Sequence, residues 1–248
     1  MSTRLPWPRI QTVLLDMDGT LLDLRFDNHF WRELVPMRYA ERHGLSLAHA
    51  RAEVTARTQR VEGTLAWYCM DYWARELALD IAALKHEIAH LIAVHPHVVK
   101  FLGALRTAGK RVVLVTNAHP SSLAMKMEKT QLAGHFDVIV CAHDLGLVKE
   151  QPEFWPCLRE VEPFDPEMTL LVDDNLAILR TARVQGVAYL VSVLRPDSAG
   201  PPKPSGEFPA IHDFSELLPV SGRTGGEADA KILSATGFNR VRPSNPRW

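Results

Sequence analysis

Four of the chain's short apolar runs end in, or lie just ahead of, a reactive side chain. That pattern limits the possible folds more than any other feature. The runs are TVLLD (12–16), RVVLVTN (111–117), FDVIVCAHD (136–144) and MTLLVDD (168–174), and a fifth, VAYLVSV, covers 187–193. They are continuous rather than alternating, rich in β-branched residues and short, as strands buried on both faces are. Helix-patterned stretches separate the later runs: SSLAMKMEKTQLAG closes on Gly134 and NLAILRTARVQG on Gly186. Strand–helix–strand alternation of this kind predicts an α/β fold, a parallel sheet with helices on both faces.

About 95 residues separate the first run from the second, far more than one crossover needs. The intervening segment 25–97 is helical in pattern throughout and holds three of the six tryptophans, Trp31, Trp67 and Trp73. It is expected to be an all-α insertion with its own small core, dividing a sheet domain formed by 10–24 and 98–220. HDFSELL (212–218) predicts a last helix. Residues 221–248 read as a mostly disordered tail, because 8 of the 17 prolines fall from Arg195 onward and apolar runs cease. A net charge of −1 gives no basic footprint for nucleic acid. No run approaches the roughly 18 apolar residues of a membrane span, and the start MSTRLPWPRIQ lacks a signal-peptide hydrophobic region. Cys69, Cys141 and Cys157 are widely spaced and form no C-x-x-C pair. The expectation is a reduced, cytoplasmic protein with neither nucleic-acid nor membrane partner.

HEIAH at 86–90 matches the H-E-x-x-H pattern of zinc peptidases, in which two histidines share a helix face. The stripe Ile81, Leu84, Ile88, Leu91 and Ile92 argues against that use. At about 100° per residue, His86 and His90 fall on the opposite, solvated side. Ala93 and Pro96 also stand where one peptidase class needs glycine and histidine.

The strand ends carry the stronger signal. In LLDMDGTLLD (14–23), Asp16 and Asp18 leave the first strand two residues apart, ahead of a turn at Gly19. Thr116 and Asn117 end the second run and Asp173 and Asp174 the fourth; Lys149 follows the third. Open α/β sheets bind ligands beyond the carboxyl ends of their strands, so these groups are expected to converge there. Carboxylates crowded together repel, and a hard divalent cation relieves that while also taking a phosphate oxygen. A carboxylate can attack phosphorus, and a second can move the proton. A hydroxyl and an ammonium can hold the charge of a transferring phosphoryl group.

DMDGT, LVTN, Lys149 and LVDDN resemble, in order, the four motifs of haloacid dehalogenase-like phosphohydrolases, over residues 10 to about 220. Response-regulator receivers also use Asp, Thr and Lys, but in a different order and a shorter domain. The second aspartate of DMD separates the chain from true dehalogenases, which lack it. LLDMDGTLLDLRFDNHFW, WYCMDYW and TNAHP are similar to stretches of bacterial GMP/IMP 5′-nucleotidases in that superfamily. The resemblance implies a Rossmann-like core with an inserted helical cap and a Mg²⁺ cofactor, with Mn²⁺ as a substitute. It implies that Asp16 is the nucleophile and Asp18 the general acid/base. Thr116, Asn117 and Lys149 would bind the phosphoryl group. Asp174 would bind the metal with Asp16 and the Asp18 carbonyl, and Asp173 through a water. Many relatives have proline directly after this lysine, whereas here KEQP delays it to Pro152.

A cap can exclude water and select the leaving group. Asn28 and Trp31, just past the catalytic loop, are the expected substrate contacts within it. The function implied is a Mg²⁺-dependent phosphomonoesterase acting on purine nucleotides. A sugar phosphate or phosphoglycolate is the alternative substrate, and the zinc peptidase a remote one. A non-catalytic binding module is disfavoured because no acidic motif residue is missing.

Overall fold

The computed structural model describes residues 5–222. Its sheet begins with β1 (Thr12–Leu15), whose four residues are all buried. The chain then enters the cap. There α1 (Arg25–His29) continues through a wider turn at Phe30–Leu34 into α2 (Val35–His43). After these come α3 (Leu47–Val61), α4 (Leu65–Tyr68), α5 (Met70–Leu77) and α6 (Ile81–Glu87). Local chemistry sets these limits. Gly44 ends α2 in the left-handed conformation. Ser46 and Asp80 accept backbone N–H groups at the starts of α3 and α6.

The chain returns through α7 (Val98–Thr107), β2 (Arg111–Thr116), α8 (Pro120–Thr130), β3 (Val138–Cys141) and the short α9 (Ala142–Leu145). It closes with α10 (Phe154–Val161), β4 (Thr169–Asp173), α11 (Leu176–Val184), β5 (Tyr189–Val193) and β6 (Ala210–Ile211). The strand order is β3-β2-β1-β4-β5-β6, with every pair parallel. Leu14 lies between Val113 and Leu171 in register.

Successive side chains point to opposite faces of a strand. Val13 and Leu15 accordingly join the core with α7 and α8, while Leu14 joins that with α10 and α11. Both faces are covered, so the strands read as continuous apolar runs. The fold is the expected α/β one.

Two expectations need correcting, and a third lies outside what the structure describes. The cap does not keep a separate core: Phe30 and Trp73 belong to the same buried cluster as Phe101 and Leu102 of α7. Met17, Leu21, Leu22 and Phe26 carry that cluster across, because the connection itself is buried. HDFSELL forms only a single 3₁₀ turn, Phe214–Leu217, held by an Asp213–Glu216 capping box. The tail expected at 221–248 falls almost entirely outside the described residues.

Two antiparallel segments join cap to core. Leu22 lies opposite Val94, Asp23 N–H donates to the Ala93 carbonyl, and His95 N–H donates to that of Leu21, both at 2.9 Å. Among the described residues, no helix is long and apolar enough to cross a membrane.

Candidate active site

β1 delivers Asp16 and Asp18 into a tight loop in which the N–H groups of Thr20, Leu21 and Leu22 all point at the Met17 carbonyl. Gly19 turns the chain with φ +86°. A Cβ there would lie 2.8 Å from the Asp174 carboxylate, so only glycine lets the two loops meet. The Thr20 hydroxyl accepts the Asp174 N–H at 3.1 Å, tying the same loops together.

Lys149 occupies the centre. Its Nζ donates to Asp16 Oδ1 at 2.6 Å and to Asp173 Oδ2 at 2.8 Å, and the side chain is 1% exposed. Its backbone is pinned as well. Lys149 N–H donates to Asn117 Oδ1 at 3.0 Å, and Trp155 Nε1–H donates to the Lys149 carbonyl at 3.1 Å. Asn117 Nδ2 donates to Glu150 at 2.8 Å. Asn117 therefore braces the lysine loop, work that its expected phosphate contact did not foresee. Glu150, in the position where relatives carry proline, also accepts from Tyr68 of the cap at 2.7 Å and from Asn175 at 3.3 Å. That hub replaces the stiffness of proline with hydrogen bonds. Thr116 ends β2 buried, its hydroxyl accepting the Ala118 N–H at 3.0 Å.

Carboxylate oxygens of Asp16, Asp173 and Asp174 lie within 4.8 Å of one another. Asp16 Oδ2 is buried without a hydrogen-bond partner among the described residues. Burial pushes the Asp173 carboxyl well above its usual range, and Asp16 and Asp174 add to this against the pull of Lys149. Burial and Asp16 raise Asp174 despite an ion pair with Lys203 at 3.0 Å. Burial alone would lower Lys149, but Asp16 and Asp173 outweigh it and hold the ammonium charged. An all-oxygen donor set with an orphaned carboxylate oxygen and excess negative charge fits a hard divalent cation.

Asp18 lies beside this cluster, its side chain 23% exposed, with Oδ1 accepting from Lys126 Nζ at 2.7 Å. Burial pushes its carboxyl up to about 6, with Lys126 opposing the shift.

The family model of the haloacid dehalogenase-like hydrolases matches residues 10–186. The chain belongs to that family. This hydrolase is 39% identical over 219 residues to the GMP/IMP nucleotidase YrfG of Escherichia coli, covering 88% of this chain and 99% of that protein. It is 27% identical over 188 residues to a phosphoglycolate phosphatase of Nitrosospira multiformis, covering 71% and 80%. The crystal structure of a HAD phosphatase from Thermococcus onnurineus superposes with a TM-score of 0.70 at 22% identity, covering 84% of this chain and 96% of that one.

In this hydrolase the two expected cap contacts both engage neighbouring side chains. Asn28 Nδ2 donates to Asp197 at 2.6 Å, beside Leu24 N–H on the Pro196 carbonyl, and so ties the start of the cap to the loop after β5. Trp31 packs edge-on against Phe30 and Trp73, with ring centroids 5.1 and 5.2 Å away. The histidine pair is dispersed: α6 stops at Glu87, and His90 sits exposed in a separate 3₁₀ turn, Ala89–Leu91. The sequence reading missed Thr20, Tyr68, Lys85, Lys126, Glu150 and Lys203. Lys85 and Lys126 had a legible signal, since each stands where a helix turns its apolar face inward, four residues after Ile81 and three after Leu123.

Proposed function

We propose that this hydrolase is a Mg²⁺-dependent 5′-nucleotidase, releasing phosphate from purine nucleoside monophosphates such as GMP and IMP through an aspartyl phosphate. The carrying observation is Asp16, with one oxygen held by Lys149, the other unpartnered among the described residues, and a second carboxyl two residues on. Asp16 attacks phosphorus as the bond to the nucleoside O5′ breaks, and Asp18 gives that oxygen its proton. Asp18 then takes a proton from the water that hydrolyses the aspartyl phosphate, restoring Asp16 and freeing phosphate. Lys149 and Thr116 bind the phosphoryl oxygens and hold their charge. Mg²⁺ would be held by Asp16, Asp174 and the Asp18 carbonyl, with Asp173 acting through a water; Mn²⁺ suits the same donors. When bound, the ion supplies the positive charge that the carboxylates and the phosphoryl group lack. The purine preference draws support from the likeness to YrfG. The three cysteines are free thiols, which fits a cytoplasmic setting.

Phosphate release from a panel of purine nucleotides, sugar phosphates and phosphoglycolate tests this reading. GMP or IMP should exceed the others in kcat/KM by at least about tenfold, or roughly 1.4 kcal/mol of discrimination. A preference for phosphoglycolate would favour the alternative. Gly19→Ala should cost about 10²-fold in kcat/KM, the scale of a 1 Å displacement, because its methyl group would drive Asp174 away. A Mg²⁺ titration of that variant should also show a higher requirement; an unchanged curve would contradict the close approach.

A further inference from the structure

Four charged side chains alternate in sign from the catalytic loop into the cap. Lys126 Nζ, on α8, donates to Asp18 Oδ1 at 2.7 Å and to Asp27 Oδ2 at 2.6 Å. Asp27, on α1, accepts a second bond at Oδ1 from Lys85 Nζ of α6, at 2.9 Å. Lys85 Nζ also reaches the Ser122 hydroxyl back on α8, at 3.5 Å. Both ammonium groups stand over aromatic faces, Lys126 at 5.1 Å from the Phe26 centroid and Lys85 at 5.0 Å from that of Phe30. The two lysines are 1% and 5% exposed. Taking such ions out of water is costly, and apolar residues of similar volume often stabilise a fold as well or better. Stability therefore gives no reason for this row of charges.

We propose that Lys126 is a positioning residue for Asp18, and that Asp27 and Lys85 hold Lys126 in place from the cap. An ammonium has three donors and fixes a carboxylate it reaches. With Oδ1 held, Oδ2 is the oxygen left to exchange a proton with the nucleoside O5′ and with water. Phe26 and Phe30 close the sides of the row, so Lys126 has few other placements. The acid/base is thus aligned only when α1 and α6 are seated on α8, which ties proton transfer to the presence of the cap over the site. The proposal rests on the reading of Asp18 as the acid/base.

The test compares kcat/KM, which reports the step that expels the leaving group, for IMP and for p-nitrophenyl phosphate. The nucleoside alkoxide needs a proton as it leaves; p-nitrophenolate does not. Lys126→Met should lower kcat/KM for IMP by roughly 10²-fold, the scale of a misplaced catalytic group, and that for p-nitrophenyl phosphate far less. Added to Asp18→Asn, Lys126→Met should cause little further loss on IMP, since the group it positions is gone. Lys126→Met leaves Asp18 without its cation and Asp27 with Lys85 alone, so thermal unfolding is followed in parallel. If the variant does not fold, the charge-balanced Lys126→Met/Asp27→Asn repeats the comparison. Equal losses on both substrates, or full additivity with Asp18→Asn, would overturn the positioning role. If Asp18→Asn itself slows both substrates alike, the acid/base reading fails and the proposal falls with it.

Discussion

Asp16→Asn should reduce turnover of GMP and IMP on the order of 10⁶-fold, the scale seen when the nucleophile of a covalent catalyst is removed. The loss is expected without unfolding. The asparagine Oδ1 can still accept from Lys149 Nζ, now 2.6 Å from the aspartate oxygen, and the new side chain has nearly the same volume. Removing one of three crowded carboxylates also relieves repulsion with Asp173 and Asp174, so the unfolding midpoint should hold or rise. Phosphate release and thermal unfolding, measured on one preparation, check both halves. Near-normal turnover would remove Asp16 from the chemistry.

EDTA should abolish phosphate release, and excess Mg²⁺ should restore it. Around Lys149 three acids are gathered within 4.8 Å, and Lys203, half-exposed, pairs with Asp174. That balance stays negative until a cation enters. Binding should register in stability as well as in rate. At a hundredfold excess over its Kd, a ligand of the folded state alone adds about 2.7 kcal/mol. Mg²⁺ should therefore raise the unfolding midpoint of the intact chain, and do so much less for Asp174→Asn. Full activity in metal-stripped protein would contradict the metal assignment.

The sheet and the site at its strand ends were legible because their physics is local. A strand covered on both faces must be apolar along its length, as Val13 to Leu15 are, and acids at its end must lie beyond the sheet. Lys149 could be assigned from motif order alone, although the reason its loop holds without proline could not. Glu150 is braced by Tyr68, Asn117 and Asn175, residues far apart in the chain. Lys85 and Lys126 were overlooked for a similar reason. A lysine on an apolar stripe is ordinarily read as snorkelling to water, and only the tertiary fold brings Asp27 and Asp18 to these two. Position just past the catalytic loop made Asn28 and Trp31 candidate substrate contacts. Proximity in sequence did not reveal that Asp197 and Trp73 already engage them.

Trapping the covalent intermediate tests the account most directly. Asp18→Asn can still be phosphorylated by an ester with a good leaving group but lacks the base that activates water, so the intermediate should accumulate. The variant is mixed with p-nitrophenyl phosphate and Mg²⁺, quenched in acid and digested, and its peptides are weighed. The expected result is one phosphoryl group on the peptide that contains Asp16, removable by hydroxylamine and absent from Asp16→Asn/Asp18→Asn. Release of p-nitrophenol with no phosphorylated peptide, or with the phosphoryl group on any other residue, would contradict the mechanism.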